Sequence, residues 1–282
     1  MSKILVTGAS GFIGSSLSAS LAADHEVIGM SRSAVDIPGV TYVRGDFGSF
    51  EDLKTLDKWN IDAVVHLAAE LVGPEREFMM ANGEGSRCLM HYLIDRGCRK
   101  FVMASSIAAV GCQSIEFRPD LLPIPDEHPC YDLHGYGFSK YIMEEITKYY
   151  WRQNQDIDVI NLRLSSVVQN DVPTPKPEGI RPILEWTLGF ITIMLLSDAI
   201  RAFSLAVLAP HKPGVRILNT AAERSWATAP TADILENWWG DDVDLSYFRK
   251  PGNEFLGAYT VGRIKDELDF TAVDTVSYLE NM

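Results

Sequence analysis

Residues 4–14 read Ile4-Leu5-Val6-Thr7-Gly8-Ala9-Ser10-Gly11-Phe12-Ile13-Gly14. The apolar start predicts a buried strand, and the residues after the middle glycine predict the start of a helix. In such a turn one glycine permits the tight bend, one lets the backbone approach a pyrophosphate, and one lets the helix pack on the strand. The helix N-terminus adds free N–H groups and a positive dipole end. We therefore expect a dinucleotide-binding loop with cofactor contacts at Gly8, Ser10, Gly11, Phe12, Ile13 and Gly14.

Strand-like apolar runs alternate with helix-like segments through the first part of the chain, as in a parallel sheet covered on both faces. The predicted strands are Ile4–Val6, Glu26–Met30, Val40–Val43, Ala63–Leu67, Phe101–Ala104 and Val159–Leu162. This pattern predicts an α/β fold, a doubly wound parallel sheet of the Rossmann type with a small C-terminal substrate-binding lobe. We place the dinucleotide-binding domain at residues 1–164. Residues 165–282 then form mainly the lobe, and part of them returns to the sheet.

Charge and hydropathy exclude several classes of protein. The formal net charge is -13 and the sequence pI is near 4.9, whereas a general nucleic-acid binder needs a basic footprint. The N-terminus has too few apolar residues for a signal peptide. The most apolar stretch, Trp186–Leu196, falls short of the roughly 20 residues that a membrane span requires. We therefore expect a cytoplasmic protein that binds neither nucleic acid nor membrane.

The cysteines of the chain are Cys88, Cys98, Cys112 and Cys130. They form no C-x-x-C pair and have no histidine partner nearby, which disfavours a zinc site and a disulfide framework. We expect reduced, buried thiols and no bound metal.

The end of the second predicted strand indicates the type of dinucleotide. An NAD-selective fold usually carries an acid here for the adenosine ribose, whereas an arginine accommodates a 2′-phosphate. Ser31 stands where that acid would be, and Arg32 can make a forked contact with phosphate oxygens. We expect NADP, with NAD as the alternative, although Arg32 could also be an exposed turn residue. Asp46 and Phe47, after the third strand, suit the adenine, or they simply end the strand and start a helix.

The candidate catalytic residues are Ser106, Tyr136 and Lys140. On a helix, residues four apart share a face, so Lys140 can stand beside Tyr136. A free phenol has a pKa of about 10, and a nearby ammonium favours the phenolate, which would make Tyr136 a proton acceptor nearer neutral pH. Ser106, at the end of the fifth strand, would hydrogen-bond the substrate oxygen beside the phenol. Together these residues indicate hydride-transfer chemistry.

With these motifs the chain resembles an extended short-chain dehydrogenase/reductase of the NAD-dependent epimerase/dehydratase family. The likeness is strongest over residues 1–170. The motifs that carry it are Thr7–Gly14, Gly45-Asp46, His66-Leu67-Ala68-Ala69, Asn82, Ala104-Ser105-Ser106, Val110-Gly111, Tyr136 with Lys140, and Arg163.

The resemblance implies roles for several of these residues. It makes Ser106, Tyr136 and Lys140 the catalytic trio, and Lys140 would also hold the nicotinamide ribose. The resemblance further implies a homodimer formed through helices near residues 77–95 and 139–152. It places cofactor contacts at Leu67, Ala68, Ala69 and Asn82.

Departures from the family pattern narrow the expected reaction. Ile107-Ala108-Ala109 lacks the Asp-Glu pair of nucleotide-sugar dehydratases, so dehydration is disfavoured. Ser165–Val168 replaces the Asn-Val-Tyr-Gly of epimerases, which puts a nucleotide-sugar substrate in doubt. We expect an NAD(P)-dependent oxidoreductase acting on a secondary alcohol, carbonyl or sugar-like substrate. The alternatives are a nucleotide-sugar epimerase with retained NAD and a non-catalytic dinucleotide sensor.

Substrate contacts are expected beyond the carboxyl ends of the strands, where open parallel sheets bind their ligands. The candidate segments are Glu70–Gly73, Ile107–Gln113 and Asn170–Arg181. Glu70 could equally be a solvated loop carboxylate, and the C-terminal tryptophans Trp226, Trp238 and Trp239 either floor a pocket or fill the lobe.

Overall fold

The computed structural model describes residues 1–114, 116–170 and 188–273. Its main sheet has seven parallel strands in the order β3-β2-β1-β4-β5-β6-β9. These strands are β1 (Lys3–Thr7), β2 (Glu26–Ser31), β3 (Val40–Arg44), β4 (Ala63–His66), β5 (Lys100–Ser106), β6 (Asp158–Leu164) and β9 (Gly214–Thr220). A separate parallel pair consists of β7 (Ser166–Val168) and β8 (Ile193–Leu195). The doubly wound α/β fold is confirmed, and the six predicted strands all lie in the main sheet.

Helices cover both faces of this sheet. They are α1 (Phe12–Leu21), α2 (Phe50–Leu53), α3 (Glu75–Phe78), α4 (Ser86–Asp95), α5 (Gly135–Gln153), α6 (Leu188–Ile191), α7 (Leu196–Leu208), α8 (Thr231–Trp239) and α9 (Gly262–Leu268). A π-helical turn, Met79–Gly85, joins α3 to α4, and 3-10 turns cover Lys54–Lys58 and Ile107–Val110. Within the described ranges, none of these helices has the length and apolarity needed to cross a bilayer.

The inner strands β1, β4, β5 and β6 are almost entirely buried because each face of the sheet contacts a different cluster of side chains. Ile4 and Val6 of β1 pack in one cluster with Phe203 of α7. Leu5, between them, points to the other face and packs in a cluster with Leu89 of α4. This alternation follows from the two-residue repeat of a strand. Each such side chain, fully buried, stabilises the fold by about 1.5–3 kcal/mol.

The chain after β6 contributes to two parts of the structure, the main sheet and a third apolar cluster. It returns to the main sheet as β9, which pairs in parallel with β6 from Gly214 to Thr220. It also forms a third apolar cluster with the segment after β5, in which Ile124 bridges to Tyr259. Trp239 is buried in this cluster. The proline-rich residues 172–179 lie outside the described residues.

All four cysteines carry free thiols. Cys88, Cys98 and Cys112 are buried, and Cys130 is half-buried. Burial raises the pKa of the Cys98 and Cys112 thiols to about 12. Buried thiols of this kind pack as small apolar side chains.

Candidate active site

A cleft of about 1230 Å³ lies at the carboxyl ends of the strands. It opens where the strand order reverses, because β2 leads to one side of β1 and β4 lies on the other. Such a switch point is where open α/β sheets bind ligands. The predicted glycine loop lines the cleft together with Ser106, Tyr136 and Lys140. One cavity therefore joins the predicted cofactor loop to the predicted catalytic residues.

The glycine loop fits closely between β1 and α1. Gly8 has a φ of 73°, and a Cβ atom there would lie 2.7 Å from the backbone nitrogen of Ala68. A Cβ atom at Gly14 would lie 2.1 Å from the carbonyl oxygen of Gly8, so only glycine lets α1 approach so closely. Gly11 is the N-cap residue of α1, which has no side-chain cap and no acidic residue in its first turn. The N–H groups in the first turn of α1 can therefore donate hydrogen bonds to an anion. The remaining predicted loop residues, Ser10, Phe12 and Ile13, also line the cleft.

The end of β2 forms the adenosine side of the cleft. Ser31 lines it, but the Ser31 hydroxyl donates a hydrogen bond to the carbonyl of Ser33 at 2.7 Å. The Arg32 side chain is 74% exposed, and its Nη2 lies 3.8 Å from the Glu70 Oε2. Glu70 is thus directed at Arg32, a contact that spacing along the sequence could not reveal. The cleft contains an exposed guanidinium with a carboxylate beside it.

Asp46 and Phe47 lie on the same side of the cleft. The Oδ1 of Asp46 accepts a hydrogen bond from the backbone nitrogen of Gly48 at 2.8 Å, which fixes the turn after β3. The Phe47 ring meets the buried His66 ring edge-on, with centroids 4.8 Å apart. Burial lowers the pKa of His66 to about 3, so this imidazole is neutral and serves packing.

The loop after β4 forms the floor of the cleft. Leu67, Ala68 and Ala69, for which the resemblance implies cofactor contacts, line it. Asn82 lies behind this loop and is 1% exposed. Its Oδ1 accepts from the Glu70 backbone nitrogen at 2.9 Å, and its Nδ2 donates to the Glu70 carbonyl and to Ser139 Oγ, each at 3.0 Å. Asn82 therefore holds the loop to α5, whereas we expected it to contact the cofactor itself.

The three candidate catalytic residues meet at the other end of the cleft. Ser106 ends β5, and its hydroxyl oxygen accepts the Ala108 N–H at 3.1 Å. The Tyr136 phenol lies near this hydroxyl, which favours its ionised form. Lys140 lies one helical turn beyond Tyr136, and its Nζ donates to the Ala104 carbonyl at 2.8 Å. Residues distant in sequence are therefore gathered at one point by β5 and α5.

The pKa values of Tyr136 and Lys140 differ from the prediction that Lys140 lowers the pKa of the phenol. Burial raises the pKa of the Tyr136 phenol, and the nearby Ser106 hydroxyl opposes that rise. Burial also lowers the pKa of the Lys140 ammonium to about 8. The expected lowering of the phenol pKa by Lys140 is not seen here. The reason is geometric, because Lys140 Nζ lies 5.9 Å from the centre of the Tyr136 ring and donates to Ala104.

The predicted substrate segments contribute to the cleft to different extents. Glu70 and Leu71 line it, whereas Val72 and Gly73 do not. The segment Ile107–Gln113 contributes residues at both of its ends. Asn170 hydrogen-bonds Ser197, and the rest of the predicted loop to Arg181 lies outside the described residues. The cleft is also lined by residues that the sequence did not indicate, and these include Met80, Glu84, Ser165 and Ser166.

Comparison with known proteins identifies a family. The NAD-dependent epimerase/dehydratase family matches residues 4–184. A UDP-glucose 4-epimerase of Azospirillum brasilense is 28% identical over 158 residues, which cover 52% of this chain and 44% of the relative. The chain therefore spans less than half the length of that relative. A UDP-arabinose 4-epimerase of Arabidopsis thaliana is 24% identical, and the match covers 98% of this chain and 76% of the relative.

A solved structure shares the fold. It is a short-chain dehydrogenase/reductase superfamily protein of Agrobacterium tumefaciens with bound NAD, to which this chain is 20% identical with a TM-score of 0.71. The match covers 97% of this chain and 93% of that one. At this level of identity the comparison shows the architecture, and the chemistry rests on the residues of the cleft.

Proposed function

The chain belongs to the NAD-dependent epimerase/dehydratase family, and from that premise we propose that it transfers hydride between a nicotinamide dinucleotide and a sugar-like secondary alcohol or carbonyl. The observation that carries the proposal is a single cleft with a glycine loop at one end and Ser106, Tyr136 and Lys140 at the other. Both halves of a hydride-transfer site are thereby within reach of one extended cofactor.

The described residues fit a dinucleotide. The N-terminus of α1 lacks a side-chain cap, and the close packing at Gly14 leaves no room for a Cβ atom. The N–H groups at the N-terminus of α1 would hold the pyrophosphate, while Lys140 would hold the nicotinamide ribose. When bound, the dinucleotide supplies or accepts the hydride, and the protein supplies placement.

The chain's own residues handle the substrate proton and oxygen. Tyr136 exchanges a proton with the substrate oxygen, acting as general acid or base. Ser106, which lies near the phenol, orients that oxygen beside it. Lys140, whose Nζ donates to the Ala104 carbonyl, holds the start of α5 and with it Tyr136 against the end of β5. Proton transfer therefore depends on Tyr136, and the positions of the reacting atoms depend on Ser106 and Lys140.

We further propose NADP as the preferred dinucleotide. Ser31 supplies no carboxylate for the ribose hydroxyls, and its own hydroxyl is engaged by Ser33. The exposed Arg32 guanidinium can pair with a 2′-phosphate. The carboxylate of Glu70, 3.8 Å away, would then be displaced from Arg32 by the phosphate. NAD is the alternative, since the family and the Agrobacterium structure are NAD-linked.

A second candidate function is epimerisation of a nucleotide sugar. It is favoured by the relatives, which are UDP-sugar 4-epimerases. An epimerase would use the same trio but would retain its dinucleotide and return the hydride. A non-catalytic sensor is disfavoured, because such a protein has no need of the tyrosine and lysine that line this cleft.

One experiment separates the two enzymatic functions. The purified protein is denatured and the supernatant is analysed for dinucleotide by chromatography, and the intact protein is then assayed with NADPH and a panel of aldoses and carbonyl compounds. An empty site with NADPH consumption supports the oxidoreductase. Stoichiometric NAD, with interconversion of UDP-sugar epimers and no net redox change, supports the epimerase. Absence of both activities together with absence of dinucleotide binding overturns the proposed function.

We also propose that the protein is a homodimer. Helix α5 presents the exposed aromatic side chains Phe138 and Tyr149, which are 41% and 49% exposed. The π-helical turn presents Met80 at 55% exposure. A second copy would cover these side chains, and light scattering after gel filtration would give a mass of about twice 31.4 kDa. A monomeric mass at micromolar concentration would contradict the dimer.

A further inference from the structure

Two oppositely charged side chains lie buried directly behind the candidate catalytic residues. Glu144 of α5 is 0% exposed and Arg163 of β6 is 3% exposed. Neither lines the cleft or takes part in the proton transfer proposed above. Burying a charge is costly unless it is paired and hydrogen-bonded, so this pair calls for a role in the site.

The pair is closely matched in geometry. Arg163 donates from Nε to Glu144 Oε1 and from Nη2 to Glu144 Oε2, each at 2.8 Å. This is the two-pronged arrangement that suits a guanidinium and a carboxylate. The remaining arm, Arg163 Nη1, donates to the carbonyl of Asp126 at 2.9 Å. Asp126 in turn accepts the backbone N–H of Asn219 in β9. The ion pair thus connects α5, β6 and the segment that carries Asp126.

The pair also touches the strand that presents Ser106. Ser105 Oγ donates to Glu144 Oε1 at 2.6 Å, and Lys140 Nζ donates to the Ala104 carbonyl at 2.8 Å. Two consecutive residues of β5, immediately before Ser106, are therefore tied to two successive turns of α5. Tyr136, Lys140 and Glu144 follow one another at intervals of four residues and share one face of that helix.

Charge links the pair to Lys140 as well. The titratable groups near Lys140 are Tyr136 and Glu144 on its own helix and His66 on β4, with Arg163 behind Glu144. His66 is neutral because burial lowers its pKa to about 3, and the Tyr136 phenol is neutral as well. The Glu144 carboxylate opposes the effect of burial on Lys140. It is therefore the charge that favours an ammonium at that position.

We propose that Glu144 is a positioning residue for the catalytic trio: held by Arg163, it fixes the end of β5 against α5 and supplies the negative charge that keeps Lys140 an ammonium. Arg163 serves this role by orienting Glu144. The proposal deepens the proposed function and rests on it, since the trio is catalytic only if hydride transfer occurs.

The test compares Glu144→Gln with Glu145→Gln, a neighbouring surface glutamate whose partner is Lys148 at 2.6 Å. The first readout is the rate at which acetic anhydride labels Lys140 as a function of pH, followed by peptide mass spectrometry. Only the neutral amine reacts, so the midpoint reports the Lys140 pKa. We expect a midpoint near 8 in the unaltered chain and about one unit lower in Glu144→Gln. The control should match the unaltered chain.

The second readout is the pH profile of kcat/KM. Its alkaline limb should move to lower pH in Glu144→Gln by the same shift as the labelling midpoint, because the ammonium is lost earlier. A labelling profile in Glu144→Gln that overlays that of the unaltered chain overturns the proposal. Because labelling needs neither dinucleotide nor substrate, its result is independent of whether the proposed function holds.

Loss of a buried ion-pair partner can prevent folding, which circular dichroism would reveal. In that event Ser105→Ala tests the proposal, because it removes only the hydroxyl that donates to Glu144 and leaves the Glu144–Arg163 ion pair in place. We expect kcat to fall about threefold to tenfold, the range that one hydrogen bond contributes, with KM unchanged. An unchanged kcat in this variant overturns the proposal.

Discussion

The two ends of the cleft hold their cations in opposite ways. At the adenosine end Arg32 is 74% exposed, and its carboxylate neighbour is 3.8 Å away. At the catalytic end Lys140 is 3% exposed and donates to a backbone carbonyl, with a buried ion pair behind it. An exposed pair contributes little and exchanges partners readily, whereas a buried one is costly to disturb.

This difference in exposure and partners determines which function each end of the cleft can serve. Arg32 can release Glu70 and take a phosphate, so the adenosine end suits selection between dinucleotides. Lys140 has a fixed place and a pKa of about 8, so the catalytic end suits proton transfer with constant geometry. Substitutions at the two ends should therefore separate binding from chemistry.

The largest expected effect is at the catalytic end. Tyr136→Phe removes the phenolic proton and should lower kcat by about 10²–10⁴. The dinucleotide Kd should stay within about twofold, because the ring that packs in the site is retained. Stopped-flow turnover and fluorescence titration measure the two quantities. Turnover at the level of the unaltered chain would remove Tyr136 from the mechanism.

Gly14→Ala should have the next largest effect, this time on binding. The new Cβ atom would lie 2.1 Å from the Gly8 carbonyl oxygen, so α1 has to move away from β1. Overpacking of this kind costs about 1–3 kcal/mol, and dinucleotide affinity should fall about tenfold or more. The control is Gly262→Ala, where no atom lies within 4 Å of the new Cβ. Equal melting temperatures and affinities in the two variants would contradict the packing argument.

Arg32→Ala tests selectivity at the adenosine end. Loss of the guanidinium should weaken NADPH binding by about 10- to 100-fold, in line with one charge-assisted contact of about 1.5–3 kcal/mol. NADH binding should change by less than about twofold. Arg152→Ala, at an exposed position of α5, serves as the control for loss of one surface charge. Equal weakening of both dinucleotides would remove the 2′-phosphate argument.

Glu70→Gln should have the smallest effect and the opposite sign. Without the carboxylate, Arg32 loses a competitor for phosphate, and NADPH should bind about twofold to fivefold more tightly, as expected for an exposed ion pair. Isothermal titration at low salt would measure the change. Glu51→Gln, which breaks a surface pair with Lys54, is the matched control. Weaker NADPH binding in Glu70→Gln would show that Glu70 assists the cofactor instead of competing with it.

Local sequence signals predicted the sheet and the glycine loop well. The loop is specified by residues that are neighbours in the chain, and each apolar strand carries its own pattern. The seventh strand, β9, was expected only as a return of the C-terminal part to the sheet, without its position. Its partner, β6, lies far back along the chain, and no local pattern encodes that pairing.

The contacts that distinguish the two ends of the cleft could not be predicted from local sequence patterns. Glu70 reaches Arg32 and Glu144 reaches Arg163 only because the sheet brings distant segments together. Asn82 was expected at the cofactor, but its amide is consumed by Glu70 and Ser139. Trp239 could have floored a pocket, and it is buried in the third apolar cluster instead.

The most direct test of the central claim is a fluorescence titration of the purified protein with NADPH and NADH, with Gly14→Ala as the reference. We expect saturable binding at one site per chain, tighter for NADPH, and much weaker binding in Gly14→Ala. Saturable binding with a clear NADH preference would contradict the role assigned to Ser31 and Arg32. No saturable binding of either dinucleotide to a protein free of retained cofactor would contradict the hydride-transfer function itself.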